Sequence, residues 1–170
     1  MNQSAEPSPG GQASRVFRFE ADFAGDLRCL PMAVRRKLDL AGVKLKLAHW
    51  HGLSEEERRR LLAWPDDGDS LRGMRHWLLE RSRGLPHGPA QSLHPTTEAD
   101  WRQGESLPES VMASCRQLGL APRAEAWHSL DELQRFALVK LSHPGHEHRN
   151  LPRALEEFGL LAPPPQPSVS

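Results

Sequence analysis

The segment HPGHEHRN, residues 143–150, places three histidines and one glutamate within six positions. A Pro-Gly pair is typical of a type II turn, which would bring His143 and His146 within a few ångströms of each other. Together with Glu147, and with His148 as a third imidazole, they would form a ligand set that suits zinc. The same residues suit a plain polar turn between two helices, and they lack the paired spacing of well-specified zinc motifs. The turn is therefore the favoured interpretation, and a metal-binding or metal-delivery module is the alternative.

Two Trp-His pairs, Trp50-His51 and Trp127-His128, offer a second possible pair of metal or cofactor contacts. We favour a structural interpretation, in which each tryptophan anchors the core and each histidine lies at its rim. The two cysteines, Cys29 and Cys115, are too few for a disulfide framework. Cys115 falls on an apolar stripe and is expected to be buried. Cys29 precedes a helix but has no nearby histidine or second cysteine in the sequence, so we do not expect it to be reactive.

Motifs of enzymatic catalysis are missing from the sequence. It has no serine in a glycine-flanked elbow, no glycine-rich phosphate loop, no H-E-x-x-H motif and no paired carboxylates in an apolar setting. The expectation is a protein that is not an enzyme and that needs no cofactor.

The overall charge disfavours a nucleic-acid partner, because 22 Lys and Arg balance 22 Asp and Glu. Basic clusters at 35–37, 44–46 and 58–60 would form one basic face, which leaves a weak nucleic-acid-binding regulator as a further alternative. No apolar run is long enough to span a membrane, and the first residues do not look like a signal peptide. We therefore expect a cytoplasmic protein.

The periodicity of apolar residues predicts an all-α fold, a compact helical bundle in a single domain over residues 15–161. Pro31 suits a first helical position, Gly42 a helix end, and Ser54 and Asn150 helix N-caps. The one candidate strand is VFRFEADF, residues 16–23, which is short and equally suits an extended arm. Residues 1–14 and 162–170 are expected to be disordered tails, and a proline- and glycine-rich run at 84–99 divides the body into two halves.

An internal repeat underlies this division. At an offset of 77 residues, 10 of 33 aligned positions are identical between residues 30–62 and 107–139, where composition alone would give roughly two or three. The identities include Pro31/Pro108, Gly42/Gly119, Trp50/Trp127 and Arg58/Arg135. The sequence thus predicts two duplicated helix-Gly-helix units.

Several of these strings closely resemble the nitrate-reductase-associated proteins of cyanobacteria and other bacteria. The most specific are F-E-A-D-F followed by L-R-C-L-P-M-A-V-R-R-K-L, and L-Q-R-F-A-L-V-K-L-S-H-P-G-H-E. The resemblance covers most of residues 17–160 and is weakest over 66–104. The chain departs from the family pattern at His143 and His148, so only His146 and Glu147 of the histidine cluster lie on the motif.

The resemblance implies an accessory protein needed for active assimilatory nitrate reductase, a molybdenum and iron–sulfur enzyme, with no catalysis of its own. It leaves open whether such a protein assists assembly of the reductase or supports its activity. Exposed polar residues on ordered turns are natural docking positions. From that reasoning and the family motif, we predict partner-binding residues at Arg28, Arg35, Lys37, His146 and Glu147.

Overall fold

The computed structural model of the chain describes residues 11–143 and 149–161. The chain divides into two compact units, Met1–Ala99 and Asp100–Ser170. The division falls at the end of the 84–99 run that the sequence marks as a divider. The single domain over 15–161 stays a prediction. No helix of the described residues is both long and apolar enough to cross a bilayer.

The first unit is built on the helix Met32–Ala41 (α2), which packs against the helices Glu55–Ala63 (α4) and Gly68–Ser82 (α5). A buried apolar core lies between these helices and includes Val34, Trp50, Leu61, Met74 and Leu78. A 3-10 turn, Arg18–Glu20, precedes the first helix. The elements of this unit are α1 Ala21–Ala24, α2 Met32–Ala41, β1 Val43–Lys44, α3 Leu47–Gly52, α4 Glu55–Ala63, α5 Gly68–Ser82 and β2 Gln91–Ser92.

The second unit is arranged around the helix Glu132–Leu141 (α7). This helix contacts the helices Glu109–Gln117 (α6) and Asn150–Glu157 (α8) and the 3-10 turn Asp100–Arg102. The inner side of α7 is apolar, with Leu133, Phe136, Ala137 and Leu138 fully buried. The helices of this unit are α6 Glu109–Gln117, the 3-10 helix Ala124–Ser129, α7 Glu132–Leu141 and α8 Asn150–Glu157.

Side-chain caps fix the starts of α4 and α7. Ser54 accepts a hydrogen bond from the N–H of Glu57 at 3.1 Å, and its own N–H donates to the Glu57 carboxylate at 2.9 Å. Asp131 and Gln134 make the same reciprocal pair at 2.8 and 2.9 Å. Each pair satisfies two helix N–H groups that have no partner within the helix. The predicted N-cap at Ser54 is confirmed.

The elements of the two units start at the spacing of the sequence repeat. The starts of α2 and α6 lie 77 residues apart, as do those of α4 and α7, and the helix Leu47–Gly52 corresponds to the 3-10 helix Ala124–Ser129. The glycines that follow α2 and α6, Gly42 and Gly119, both adopt positive φ, at 78° and 69°. The duplication itself stays a prediction.

The all-α prediction holds for most of the described chain, but β1 and β2 form a short antiparallel ladder that pairs Val43 with Ser92. The candidate segment at 16–23 forms neither a strand nor an extended arm, because most of its residues lie in the 3-10 turn and α1. Glu20 explains the difference. Its buried carboxylate accepts the N–H of Phe17 at 3.4 Å and that of Met32 at 3.2 Å, which closes a turn and caps the start of α2.

The starts of α2 and α8 differ from the prediction by one position each. Pro31 occupies the N-cap of α2 and not its first helical position, and Asn150 is the first residue of α8 and not its cap. The predicted tails fall mostly outside the described residues. Residues 11–14 are described, and they form a turn in which the N–H of Ser14 donates to the Gly11 carbonyl.

The 84–99 run is attached to the helical part of the first unit by hydrogen bonds to Arg75, Gly42 and His49. Arg75 of α5 donates to the carbonyl oxygens of Ala41, Gly42 and Leu93 at 2.7–3.0 Å. The N–H of Leu93 in turn donates to the Gly42 carbonyl at 2.8 Å. One ring nitrogen of His49 accepts the N–H of Lys46, so the other donates to a carbonyl of the run. The run is therefore held in place by the helices it follows.

Candidate functional site

The loop over residues 25–31, between α1 and α2, contains an unusual backbone conformation. Leu27 has φ +64°, and it is the one non-glycine residue with positive φ among those the structure describes. A left-handed conformation costs a residue with a Cβ roughly 1–2 kcal/mol. The side chain of Leu27 is buried, at 3% exposed. Such strain persists only where the surroundings hold it, and it concentrates at functional positions.

Two side chains hold the carbonyl group of Leu27. The indole N–H of Trp50 donates to it at 2.7 Å, and Arg58 approaches it at 3.4 Å. Arg58 also donates to the carbonyl oxygens of Trp50 at 3.0 Å and His51 at 3.1 Å. Since Trp50 is fully buried, the strained residue is supported from the core of the unit.

Arg28 projects from this loop, with 70% of its side chain exposed. Its guanidinium pairs with Asp26 at 2.7 Å and donates to the Asp22 carbonyl at 3.1 Å. The carbonyl oxygen of Arg28 accepts a hydrogen bond from His51 at 2.8 Å. The backbone N–H of Arg28, followed by its guanidinium, lowers the pKa of Asp26, which keeps that carboxylate charged. Arg28 is therefore exposed and oriented at the same time.

A small open pocket of about 260 Å³ lies beside the loop. Leu27 and Leu62 supply apolar walls, and Arg59 supplies a charge that is paired with Glu55 at 2.6 Å. We call Arg28 and this pocket together the loop surface. The full set of pocket-lining residues is Ser14, Gly25, Leu27, Arg59, Leu62 and Ala63.

Lys37 does not lie on an exposed surface, so the expected exposure of its side chain is wrong, and its role in partner binding stays a prediction. Its side chain is fully buried, and its Nζ donates to the carbonyl oxygens of Leu61, Leu62 and Trp64 at 2.7, 2.7 and 2.9 Å. Burial lowers the pKa of Lys37 to about 7, while the charges of Asp66 and Arg36 act in opposite directions. Lys37 thus caps the end of α4, where several carbonyl oxygens have no partner within the helix.

The predicted basic face is also incomplete. Arg36 is buried and pairs with Asp66 at 2.8 Å, so neither it nor Lys37 presents its charge to solvent. Arg35 is half-buried on α2. Its role in partner binding stays a prediction.

The predicted histidine cluster lies mostly outside the described residues. His143 is exposed at the end of α7. His146, Glu147 and His148 are not among the described residues, and their proposed roles in docking or metal binding stay predictions. Within 11–143 and 149–161, the structure contains no group of three or more His, Cys, Asp or Glu side chains that would hold a metal ion.

The Trp-His pairs follow the structural interpretation. Trp50 and Trp127 are both fully buried, whereas His51 and His128 are exposed. Cys115 is buried as predicted, and burial raises the pKa of its thiol. No motif in the sequence indicates the left-handed conformation of Leu27. The identity of Arg58 with its repeat counterpart is the one hint that would have pointed to its structural role.

Comparison with known proteins identifies the family of the chain. A family model described as conserved nitrate reductase-associated protein matches residues 16–158, a range that includes the loop surface from Gly25 onward and the helices α1 to α8. No curated protein matches the chain, and no solved structure does. The resemblance seen in the sequence is confirmed, and the chain belongs to the family of conserved nitrate reductase-associated proteins.

Proposed function

We propose that this protein is a non-catalytic accessory factor that binds nitrate reductase through the loop surface and is required for its assembly or activity. The observation that carries the proposal is the strained Leu27, held by Trp50 and Arg58, directly before the exposed Arg28. Membership in the family of conserved nitrate reductase-associated proteins supports the choice of nitrate reductase as the partner.

The physical case for docking at this loop is preorganisation. A loop that is already fixed by the core loses little conformational entropy when a partner binds. Arg28 is an exposed guanidinium, a group common at interface hot spots. The adjacent pocket, with Leu27 and Leu62 in its walls, has room for one apolar side chain of the partner.

The polar groups around the loop over residues 25–31 favour binding over catalysis, since Asp26, His51 and Arg58 are each bonded to another part of the protein. Asp26 is paired with Arg28, and a ring nitrogen of His51 is bonded to the Arg28 carbonyl. Arg58 is bonded to backbone carbonyl oxygens. General acid or base catalysis needs a polar group aimed at a substrate, and these groups are aimed at the protein itself.

Deleting the gene and measuring nitrate reductase activity tests the accessory role. We expect activity to be lost while reductase transcript remains. Normal activity in the deletion strain would overturn the proposal. Returning the gene as wild type or as Arg28→Glu should restore activity in the first case only.

Arg116→Glu is a matched control for the Arg28 variant, because both arginines are surface residues in a local ion pair, at 70% and 61% exposed. Purified apo and mature nitrate reductase would be titrated against wild type and both variants. Arg28→Glu should weaken binding at least ~10-fold, as expected for a reversed charge at an interface, and Arg116→Glu should leave it unchanged. Preference for the apo enzyme would indicate a role in assembly. Preference for the mature enzyme would indicate support of activity.

A further inference from the structure

A second surface of the first unit combines two tryptophans and an arginine. The guanidinium of Arg60 lies over the rings of Trp64 and Trp77, at 4.8 and 5.1 Å from their centroids. The two rings are 6.0 Å apart and tilted by 35°. Arg60 is exposed and both indoles are half-buried, so the cluster is accessible from solvent. We call these three residues the Arg-Trp surface.

The two tryptophans of the Arg-Trp surface are held in place by the core of the first unit. Trp64 and Trp77 both pack against the core of the first unit. The indole N–H of Trp64 donates to the Ser70 carbonyl at 2.7 Å, and its backbone carbonyl accepts from Lys37 at 2.9 Å. Stacking on two rings restricts the rotamers of Arg60 and sets the plane of its guanidinium.

Two members of this surface, Arg60 and Trp77, have hydrogen-bond donors without a partner among the described residues, whereas the indole N–H of Trp64 is bonded to Ser70. Among the described residues, no carboxylate lies within ion-pair distance of Arg60, and the indole N–H of Trp77 has no acceptor. Other exposed arginines of this unit differ, since Arg72 pairs with Asp69 and Arg28 with Asp26. A guanidinium fixed by two rings but without an anion has its N–H groups available to a carboxylate from outside.

We propose that the Arg-Trp surface binds an acidic side chain of a partner protein, carried on a segment with an apolar residue beside it. Charge complementarity selects the carboxylate, because the planar guanidinium donates two parallel hydrogen bonds to a carboxylate. The indole faces provide the apolar contact, and Trp and Arg are the residue types most common at interface hot spots. If the partner is nitrate reductase, the inference rests on the proposed function. The first test of the inference uses peptides and does not involve that enzyme.

The first test uses the acetylated and amidated peptide Phe-Glu-Leu-Glu-Phe and its counterpart with glutamine at both acidic positions. Binding to the full chain would be followed by NMR through the indole N–H of Trp77. We expect the acidic peptide to bind at least ~5-fold more tightly than the glutamine peptide, since a charge-assisted hydrogen bond is about twice as strong as a neutral one. Arg60→Gln should remove this preference.

Arg60→Lys should lose most of the preference as well, because an ammonium provides neither the fork nor the stacking. Arg72→Gln is the matched control and should retain it, since Arg72 is an exposed arginine outside the cluster. Equal affinity for the two peptides, no binding of either, or a preference that survives Arg60→Gln would overturn the inference.

A second test measures nitrate reductase binding to Arg60→Gln and Arg72→Gln. If only Arg60→Gln weakens binding, the reductase supplies the acidic segment. If the reductase binds both variants like wild type and the peptides show no preference, the inference fails and the proposed function stands. If the reductase binds no form of the protein while the peptides discriminate, the proposed function fails and the Arg-Trp surface keeps its assignment.

Discussion

The indole N–H of Trp50 donates to the carbonyl oxygen of Leu27 over 2.7 Å, so a fully buried ring holds a left-handed residue in place. The exposed Arg28 follows directly. The conformation of the loop surface therefore depends on a core residue that a partner would not contact. Substitutions at this core position should change the conformation of the loop.

Replacing Trp50 by phenylalanine removes this donor. We expect Trp50→Phe to lower the free energy of unfolding by at least ~1 kcal/mol more than Trp127→Phe, since a buried acceptor without its donor costs about 1–3 kcal/mol. Trp127 is equally buried but donates over 3.2 Å to Gln103, which is not left-handed. Urea unfolding followed by far-UV circular dichroism would measure both. A smaller loss at position 50 than at 127 would show that the bond does not support Leu27.

The glycines that follow α2 and α6 allow a second comparison. Both have positive φ, but a Cβ on Gly42 would collide with the carbonyl oxygen of Leu93 and lie 2.8 Å from the nitrogen of Pro95, whereas a Cβ on Gly119 would meet nothing within 4 Å. Gly119→Ala should cost roughly 1–2 kcal/mol from the backbone alone.

Gly42→Ala should cost clearly more than Gly119→Ala, because the 84–99 run would have to move as well. Thermal unfolding measures the stability of each variant, and limited proteolysis within 84–99 reports on the run. Equal losses of stability at the two glycines, with no new cleavage within 84–99, would show that the run does not pack closely against Gly42.

Lys37→Met should remove a pH dependence of folding. Burial lowers the pKa of Lys37 in the folded protein to about 7, from 10.5. Between these values the unfolded chain binds more protons than the folded chain, so the free energy of unfolding of the wild type should rise with pH across this window. Methionine does not titrate, so the variant should lack this rise. Urea unfolding at pH 7, 8 and 9 measures it, and parallel curves for the two proteins would contradict the assignment.

Gly73→Ala should stabilise the protein. Gly73 is exposed within α5, and a Cβ there would come no closer than 4.0 Å to the ring of Trp64. Alanine in a helix interior is more favourable than glycine by roughly 0.5–1 kcal/mol. A raised midpoint of thermal unfolding would confirm this. A lowered midpoint would mean that the space beside Trp64 is occupied.

The helices and their ends were predictable because local residues determine them. Ser54 caps α4 and Gly42 ends α2 through contacts within a few positions in the chain. Arg28, predicted from the family motif, lies exposed as expected. Lys37 was mispredicted because it stands in a run of basic residues, which normally face solvent. Its acceptors come from α4, 24 to 27 positions later, and sequence periodicity carries no information about such a contact.

The conformation of Leu27 lies beyond sequence reasoning for the same reason. Nothing near it requires positive φ, and glycine would be the residue expected there. The donors that hold it come from Trp50 and Arg58, 23 and 31 positions away. The Arg-Trp surface was equally hidden, since Arg60 and Trp77 meet only when α4 and α5 pack.

The two cysteines differ in a way that gives experimenters a natural attachment point. Cys115 is buried and its pKa is raised by burial, whereas Cys29 is half-buried directly after Arg28. Labelling by a maleimide needs an accessible thiol and not an activated one, so a maleimide fluorophore should react with Cys29 and spare Cys115 without any engineered thiol. The dye would lie beside the loop surface, where binding of the proposed partner would change its emission.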